Sequence, residues 1–565
     1  MGISDVLLIN GNLTKTLDKL MDEKVTEQNT KIDSLDEKVT EQNTKIDTLD
    51  EKVTEQNTKI NSMNTKIDTQ IVRLDTVNNK VGEIIGILDY IRNYSIIKVK
   101  NTTETNGKTL TCSIPGGETL VATTISDDCE FKVHYLGEYT ISCSGMSNTK
   151  TVKNEAFGTI HNVQINPWTL YGIHFSGSES DPFAKVTYLE DAIGMTPAHM
   201  NFSTDKFDYG SWENAFFMPR PCMLRYDGTV DYYLDPNDYS KKLDGTPSDV
   251  ANPEYEGNAM IEWGRDGKKI WSKWCADEDD ETSGCFYVSD TQVDDSFHAW
   301  SFYDCEDNLG DHFYTSIYMG SLIDDKLRSI SGTSVMDEKT ATQEMDYAKA
   351  NYADKPIWAT EVIADRMLIT GLLTLITKST DSQSVFGGGV SAIENNKGVN
   401  NGTMDAKGLF WGDQRGVNGV KLFGIENFYG SYKRRCAGYI YGNSSHKIKL
   451  TYGKADGTNV VGYNTNGADY IVVDAPSVSG TSGSYVKSMT FTSEGLFPRT
   501  LDGSVTTNYN DGCWYSNNTT ARYAVFGGYC FYGYHCGSFS VLLNDSAASA
   551  YYGTGAATSC KPLAV

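Results

Sequence analysis

Basic residues are scarce in this chain. Against 74 Asp+Glu there are 49 Lys+Arg, a formal charge of −25. An acidic surface repels phosphate backbones at long range, which argues against nucleic acid as a partner. Long apolar runs are also missing. The longest, Met367–Ile376, follows Asp365 and Arg366 and falls well short of the ~20 residues that span a bilayer, so no membrane insertion is expected. The opening residues, MGISDVLLINGN, have neither a basic start nor a long apolar core, and residue 6 is Val6. No secretory signal or myristoylation pattern is visible. Synthesis in a reducing cytosol follows, with the twelve cysteines mostly free thiols. None forms a C-x-x-C, and no Cys/His spacing of the zinc-site kind occurs, so no metal centre is expected. H-E-x-x-H, G-x-S-x-G and G-x-x-x-x-G-K-[ST] are absent as well. No catalytic residue can be nominated, and the chain reads as a non-enzyme.

What is present is unevenly distributed. Residues 171–330 carry 31 Asp+Glu against 12 Lys+Arg, whereas residues 401–565 carry 10 against 13 and include 26 aromatics. Acidic loops such as Asp277–Glu281, the run from Asp231 and the run from Asp294 could hold Ca2+, but no EF-hand spacing accompanies them. Calcium is the one cofactor left open.

The first hundred residues repeat. LDEKVTEQNTKID at Leu35–Asp47 recurs at Leu49–Asn61 with one change, a period of two heptads. Val25, Ile32, Val39, Ile46, Val53 and Ile60 fall at a, and Leu35 and Leu49 at d. A 3.5-residue period sustained this long predicts a left-handed coiled coil. Lys31 and Lys45 at g would meet Asp36 and Asp50 at e of a neighbour only in parallel packing. A parallel homo-oligomer, taken as a trimer, is therefore expected, with a stalk on the order of 110–120 Å long.

From Ser95 the pattern changes to short alternating runs with turn signals: SIIKVKN, TLTCSI, TLVATTI and CEFKVHYLGEYTISCSG. These predict a small Ig-like β-sandwich over 94–170. Val362, Met367, Leu368, Leu372 and Ile376 share one helical face, which predicts a core helix. Near the terminus, core-like elements alternate with Tyr529, Tyr532, Tyr534, His535, Asn544, Asp545, Tyr551 and Tyr552, and Trp514 and Tyr515 precede them. Tyr offers rigid amphipathic contact area at little entropic cost, so this stretch reads as a binding surface.

Three features of this region carry a resemblance: R-Y-A-x-x-G-G at Arg522–Gly528, G-x-F at Gly537–Phe539, and the small-residue run ending in Ser559-Cys560-Lys561-Pro562. Together with Gly408–Gly412, Val420–Ile440 and Arg328–Gly332, they resemble the C-terminal C-type-lectin-like domains of tailed-bacteriophage receptor-binding proteins, including retroelement-diversified tropism determinants. The resemblance implies a virion fibre, on tail or capsid, whose N-terminus joins a phage structural protein. Its C-terminal heads would bind a bacterial surface receptor, glycan or protein, during host adsorption. It also implies that the choices at 529–552 are diversified by adenine-targeted mutation.

The expected fold class is thus multidomain and fibrous. An attachment segment (1–12) leads to a parallel, trimeric coiled-coil stalk (13–93) and an Ig-like β-sandwich (94–170). An acidic β-rich region (171–335) then leads into an α+β C-type-lectin-like head (336–565). The expected receptor residues are Trp514, Tyr515, Tyr529, Tyr532, Tyr534, His535, Asn544, Asp545, Tyr551 and Tyr552. The rival functions are a polysaccharide depolymerase and a structural decoration protein that binds no host receptor.

Overall fold

The computed structural model describes residues 94–564 apart from 103–104, 124, 147–148, 393–397 and 415, together with 40, 44, 75–76 and 78–82. The chain divides into two compact units, Met1–Pro167 and Trp168–Val565.

In the first unit residues 94–167 form seven short strands, and the other described residues, 40, 44, 75–76 and 78–82, are helical. Ser95–Lys100 pairs antiparallel with Cys129–Val133 and parallel with Ile160–Gln164. A second, antiparallel sheet runs in the order Thr119–Ala122, Leu110–Ser113, Gly137–Cys143 and Thr149–Asn154. Alternation explains the packing. In Ser95–Lys100 the side chains of Ile97 and Val99 are buried while Ile96, Lys98 and Lys100 are not, the period of a half-buried strand. Ile97, Val99, Leu110, Phe131, Tyr139 and Ile141, drawn from both sheets, form one core.

The fibrous α-containing fold class is not what the described residues show. They are predominantly strand, and the longest helix is fifteen residues, Ile363–Thr377. Among them no long helix of the kind a coiled coil needs is present. The heptad residues Val25, Ile32, Leu35, Val39, Ile46, Leu49, Val53 and Ile60 lie outside the described residues. The C-terminal region likewise departs from an α+β head, because its few helices are embedded in extensive sheet. The reason is compositional: from Ser95 onward, runs of two-residue periodicity closed by Gly, Asn and Asp turns dominate, and such runs favour sheet over helix.

The second unit contains three large sheets. One has seven strands in the order Asp238–Lys242, Val230–Asp235, Arg220–Arg225, Gly257–Trp263, Phe313–Ser316, Thr558–Cys560 and Trp358–Thr360. The chain's last strand is therefore an interior one, and residues from 220 to 560 share a single sheet. A four-stranded sheet runs Trp271–Ala276, Gly284–Ser289, Leu170–Phe175 and Val186–Glu190. The third sheet is centred on Lys433–Gly442, which pairs antiparallel with Arg522–Phe526 and parallel with Thr554–Ala556. Every residue of Lys433–Gly442 and of Gly257–Trp263 is buried, as expected of strands covered on both faces.

Three helices serve these sheets. Helix α1 (Ala341–Lys349) begins with a capping box in which Thr340 and Gln343 satisfy each other's backbone N–H groups. Helix α2 (Ile363–Thr377) is buried over its whole length, and α3 (Ser382–Phe386) is capped by the Asp381 carboxylate. The apolar face expected around Met367 and Leu372 is thus core, but so is the opposite face, which carries Arg366 and Asp365. No helix among the described residues is long and apolar enough to cross a membrane. No disulfide joins the twelve cysteines.

Much of the acid in the middle of the chain is spent on turns. Asp227 accepts from the Thr229 N–H and hydroxyl, Asp244 from those of Thr246, and Asp280 from those of Thr282. Each carboxylate closes its own loop, a local role that favours Asp in turns.

Candidate functional site: an aromatic face at the C-terminal sheet

The strand Arg522–Phe526 pairs with Val541–Leu543, which in turn runs parallel to Gly512–Tyr515. The loop between Phe526 and Val541 carries Tyr529, Phe531, Tyr532, Tyr534 and His535, and it is anchored throughout. The Gly527 N–H donates to Ser540 O (3.0 Å), Cys530 N–H to Ser431 O (3.1 Å) and Gly533 N–H to Ser391 O (2.8 Å). The Gln383 amide donates to Tyr534 O (3.0 Å), and the Cys536 thiol to Tyr529 O (3.2 Å). At Gly528 the backbone has φ 78°, and a Cβ would lie 2.6 Å from Cys536 Sγ. Only glycine fits such a turn without strain.

On this rigid base the rings form two clusters joined through Tyr532. Trp514 lies 4.7 Å from Tyr532 and 5.4 Å from His535, whose ring stacks on Tyr485 at 4.2 Å. Tyr529 lies 4.7 Å from Phe531, 6.0 Å from Tyr532 and 6.1 Å from Tyr552. These are offset and edge-on geometries, which favour a fixed arrangement. Tyr529 is the buried floor at 3 % exposure, whereas Phe531 (48 %), Tyr534 (68 %), Tyr551 (54 %) and Tyr552 (42 %) face solvent. Burial pushes the Tyr529 hydroxyl well above the usual phenol range, and hydrogen bonding with Tyr552 adds to this.

Lys433 supplies a cation beneath the face, with Nζ 5.5 Å from the Tyr529 ring centre and 6.0 Å from that of Tyr551. Its burial lowers the ammonium pKa, and the nearby Asp545 carboxylate opposes that shift.

Of the residues expected from sequence, the structure brings together Trp514, Tyr529, Tyr532, His535, Tyr551 and Tyr552, with Tyr534 beside them and Asp545 close enough to act on both Lys433 and Tyr532. Tyr515 leaves the group. Successive strand residues point to opposite faces, and its hydroxyl donates to Gly480 O at 2.6 Å. Asn544 follows the Val541–Leu543 strand, half-buried, with its Oδ1 buried and lacking a hydrogen-bond partner. Lys433, Tyr485 and Phe531 belong to the face but were not singled out. Phe531 could have been read from its place between Tyr529 and Tyr532. Lys433 and Tyr485 arrive through sheet pairing and carry no local signal.

Gly553 shapes the floor. Its φ is 72°, and a Cβ there would stand 2.1 Å from the Tyr529 ring. Gly553→Ala is therefore expected to cost about 1–3 kcal/mol and to displace Tyr529. Thermal melting together with the near-UV circular dichroism of the aromatic cluster checks this, and an unchanged near-UV spectrum would show that the ring does not depend on Gly553.

A separate concavity of about 670 Å³ is lined by Phe202, Asp205, Lys407, Trp411 and Asn418, among others. Its polar groups largely engage one another. Lys407 lies 3.0 Å from Asp205 and 4.3 Å from the Trp411 ring centre, and the Trp411 indole donates to Asp205 at 2.7 Å. It shares no lining residue with the aromatic face. No protein-family model and no curated protein matches the chain.

Proposed function

We propose that this chain is a receptor-binding protein of a tailed-bacteriophage particle and that the aromatic face around Tyr532 meets a bacterial surface receptor, glycan or protein, during adsorption. The observation that carries the proposal is the set of four exposed aromatic side chains, Phe531 and Tyr534 on one loop and Tyr551 and Tyr552 on the next, around the buried Tyr529. Aromatic groups clustered on a surface commonly mark a contact site. Ring faces suit the C–H faces of sugars, while His535, Asp545 and Lys433 supply polar groups at the edges. The rings are already held in place, so little conformational freedom remains to be lost on binding. Weak individual contacts suffice where a particle presents several copies.

The test is competition. Purified chain is expected to block particle adsorption, and Tyr534→Ala/Tyr551→Ala is expected to weaken that block about tenfold or more, the equivalent of ~1.4 kcal/mol. Full competition by the double variant would remove the face from receptor binding. Failure of the intact chain to compete would favour a structural decoration role.

A further inference from the structure

The four-stranded sheet of the second unit has an inner and an outer face. Ile173, Phe175, Trp274 and Phe286 point into the core, so the residues adjacent to them in sequence point outward. On that outer face the register sets His174 opposite Cys285, and Cys285 opposite Cys275. Asp277, two residues beyond Cys275, follows on the same side. The side chains converge. His174 Nε2 lies 2.8 Å from Asp277 Oδ2, and Cys275 stands directly across the strand pair from Cys285. The donor atoms of His174, Asp277 and Cys285 all lie within 4.8 Å of one another.

We propose that His174, Cys275, Asp277 and Cys285 form a binding site for a thiophilic divalent cation, Zn2+ in the cell. Two sulfurs, one imidazole nitrogen and one carboxylate oxygen make a four-donor set of the kind that encloses tetrahedral zinc. Ligands at ~2.0–2.3 Å from such an ion stand roughly 3.3–3.8 Å apart, so the donors of His174, Asp277 and Cys285, none more than 4.8 Å apart, need to adjust by only about 1–1.5 Å, and Cys275, which lies outside that triplet, has to move in as the fourth ligand. The His174–Asp277 hydrogen bond would open to admit the ion. Soft thiolates exclude Ca2+ and Mg2+ as the preferred occupants.

The placement of the thiols is the second argument. Nine of the twelve cysteines are buried, and the other three, Cys275, Cys285 and Cys305, are only partly so. Cysteine ordinarily behaves as a small buried hydrophobe. Two of them stand directly opposite each other on an outer sheet face, beside a His–Asp pair, a placement that suits coordination. The surroundings fit as well. Tyr287 lies two residues from Cys285 on the same face of the same strand, and the Lys273 ammonium acts on Cys275, offsetting the net negative charge of two thiolates and a carboxylate around a dication. Binding would release both thiol protons to solvent and leave the imidazole neutral. With all four positions filled by protein, the ion would staple three strands together and leave no open position for chemistry.

Metal analysis of the full chain purified under reducing conditions is expected to find close to one equivalent of zinc. After chelation, Co2+ titration is expected to give the visible bands of a tetrahedral site with thiolate-to-metal charge transfer, and Zn2+ should displace them. Cys285→Ser or Cys275→Ser is expected to weaken Co2+ binding roughly tenfold or more, while Cys305→Ser leaves it unchanged. Absence of the bands in the wild-type chain overturns the proposal whether or not the variants fold. So does their persistence in Cys285→Ser.

Discussion

Replacing Glu361 by Gln is expected to destabilise the second unit by about 3–5 kcal/mol, the usual cost of stripping one partner from a buried ion pair. Glu361 stands just before α2 and serves two arginines. Its Oε2 accepts from Arg434 Nε at 2.7 Å, and its Oε1 from Arg366 Nη1 at 3.4 Å. Their side chains are 3 % and 1 % exposed. Burial alone would raise the Glu361 pKa, but the two guanidinium groups outweigh it and hold the carboxyl below its usual range. A neutral amide keeps the shape and removes the charge, leaving two desolvated cations facing each other. Arg366 also donates to Phe428 O (3.1 Å) and Ser538 O (3.3 Å), and it stacks over the Phe428 ring at 3.8 Å. Ser538 closes the loop that carries Tyr529 to His535, so this buried network underlies the aromatic face. Denaturant unfolding followed by Trp fluorescence should show the loss. A change below about 1 kcal/mol would mean that the arginines are neutralised by other groups. The double variant Glu361→Gln/Arg434→Met is expected to cost less than the sum of its parts, because the second substitution removes one of the stranded charges.

The second large effect is on pH dependence. His446 is buried among Tyr439, Tyr441 and Phe497. Its Nε2 faces Pro476 O at 3.3 Å and its Nδ1 faces the Tyr439 hydroxyl at 2.7 Å. A carbonyl can only accept, so Nε2 carries the proton and Nδ1 accepts from Tyr439, an arrangement complete with the ring neutral. Burial lowers the His446 pKa to about 4, against the opposing pull of the Pro476 carbonyl. The unfolded chain takes up this proton near pH ~6.5. The stability conferred by the neutral ring is therefore fully present above that pH and is lost as pH falls toward 4, for a total of roughly 3 kcal/mol. Glu344 and Glu426 act in the opposite sense. Burial raises each to about 7, so their contribution is present at low pH and lost as pH rises through that value. The histidine is isolated by comparison: His446→Gln, which cannot titrate, should flatten the loss of stability between pH 7 and pH 4.5 by about 2–3 kcal/mol. Parallel pH profiles for the two proteins would show that His446 is not the titrating group.

Residues that act with their near neighbours were the legible ones. Ile97 and Val99 in an alternating run, Met367 and Leu372 on one helical face, and the Tyr-rich stretch from Tyr529 to Tyr552 all depend on short spacings. The backbone's two-residue and 3.6-residue periods convert those spacings directly into faces. The same logic made the heptads at Val25 to Ile60 conspicuous, yet the described residues are ruled by sheet and not by a long helix.

Pairings between distant strands decided the rest. Nothing near Tyr515 announces that it turns from the face that Trp514 joins, and nothing near Lys433 places it under Tyr529. No local spacing announces the cluster around His174, because His174 meets Cys285 only through the pairing of Leu170–Phe175 with Gly284–Ser289. Local sequence determined where strands, turns and aromatic groups occur. Tertiary structure alone decided which of them touch, because strand register is set by burying one face of a sheet against the whole core, and no local spacing encodes that.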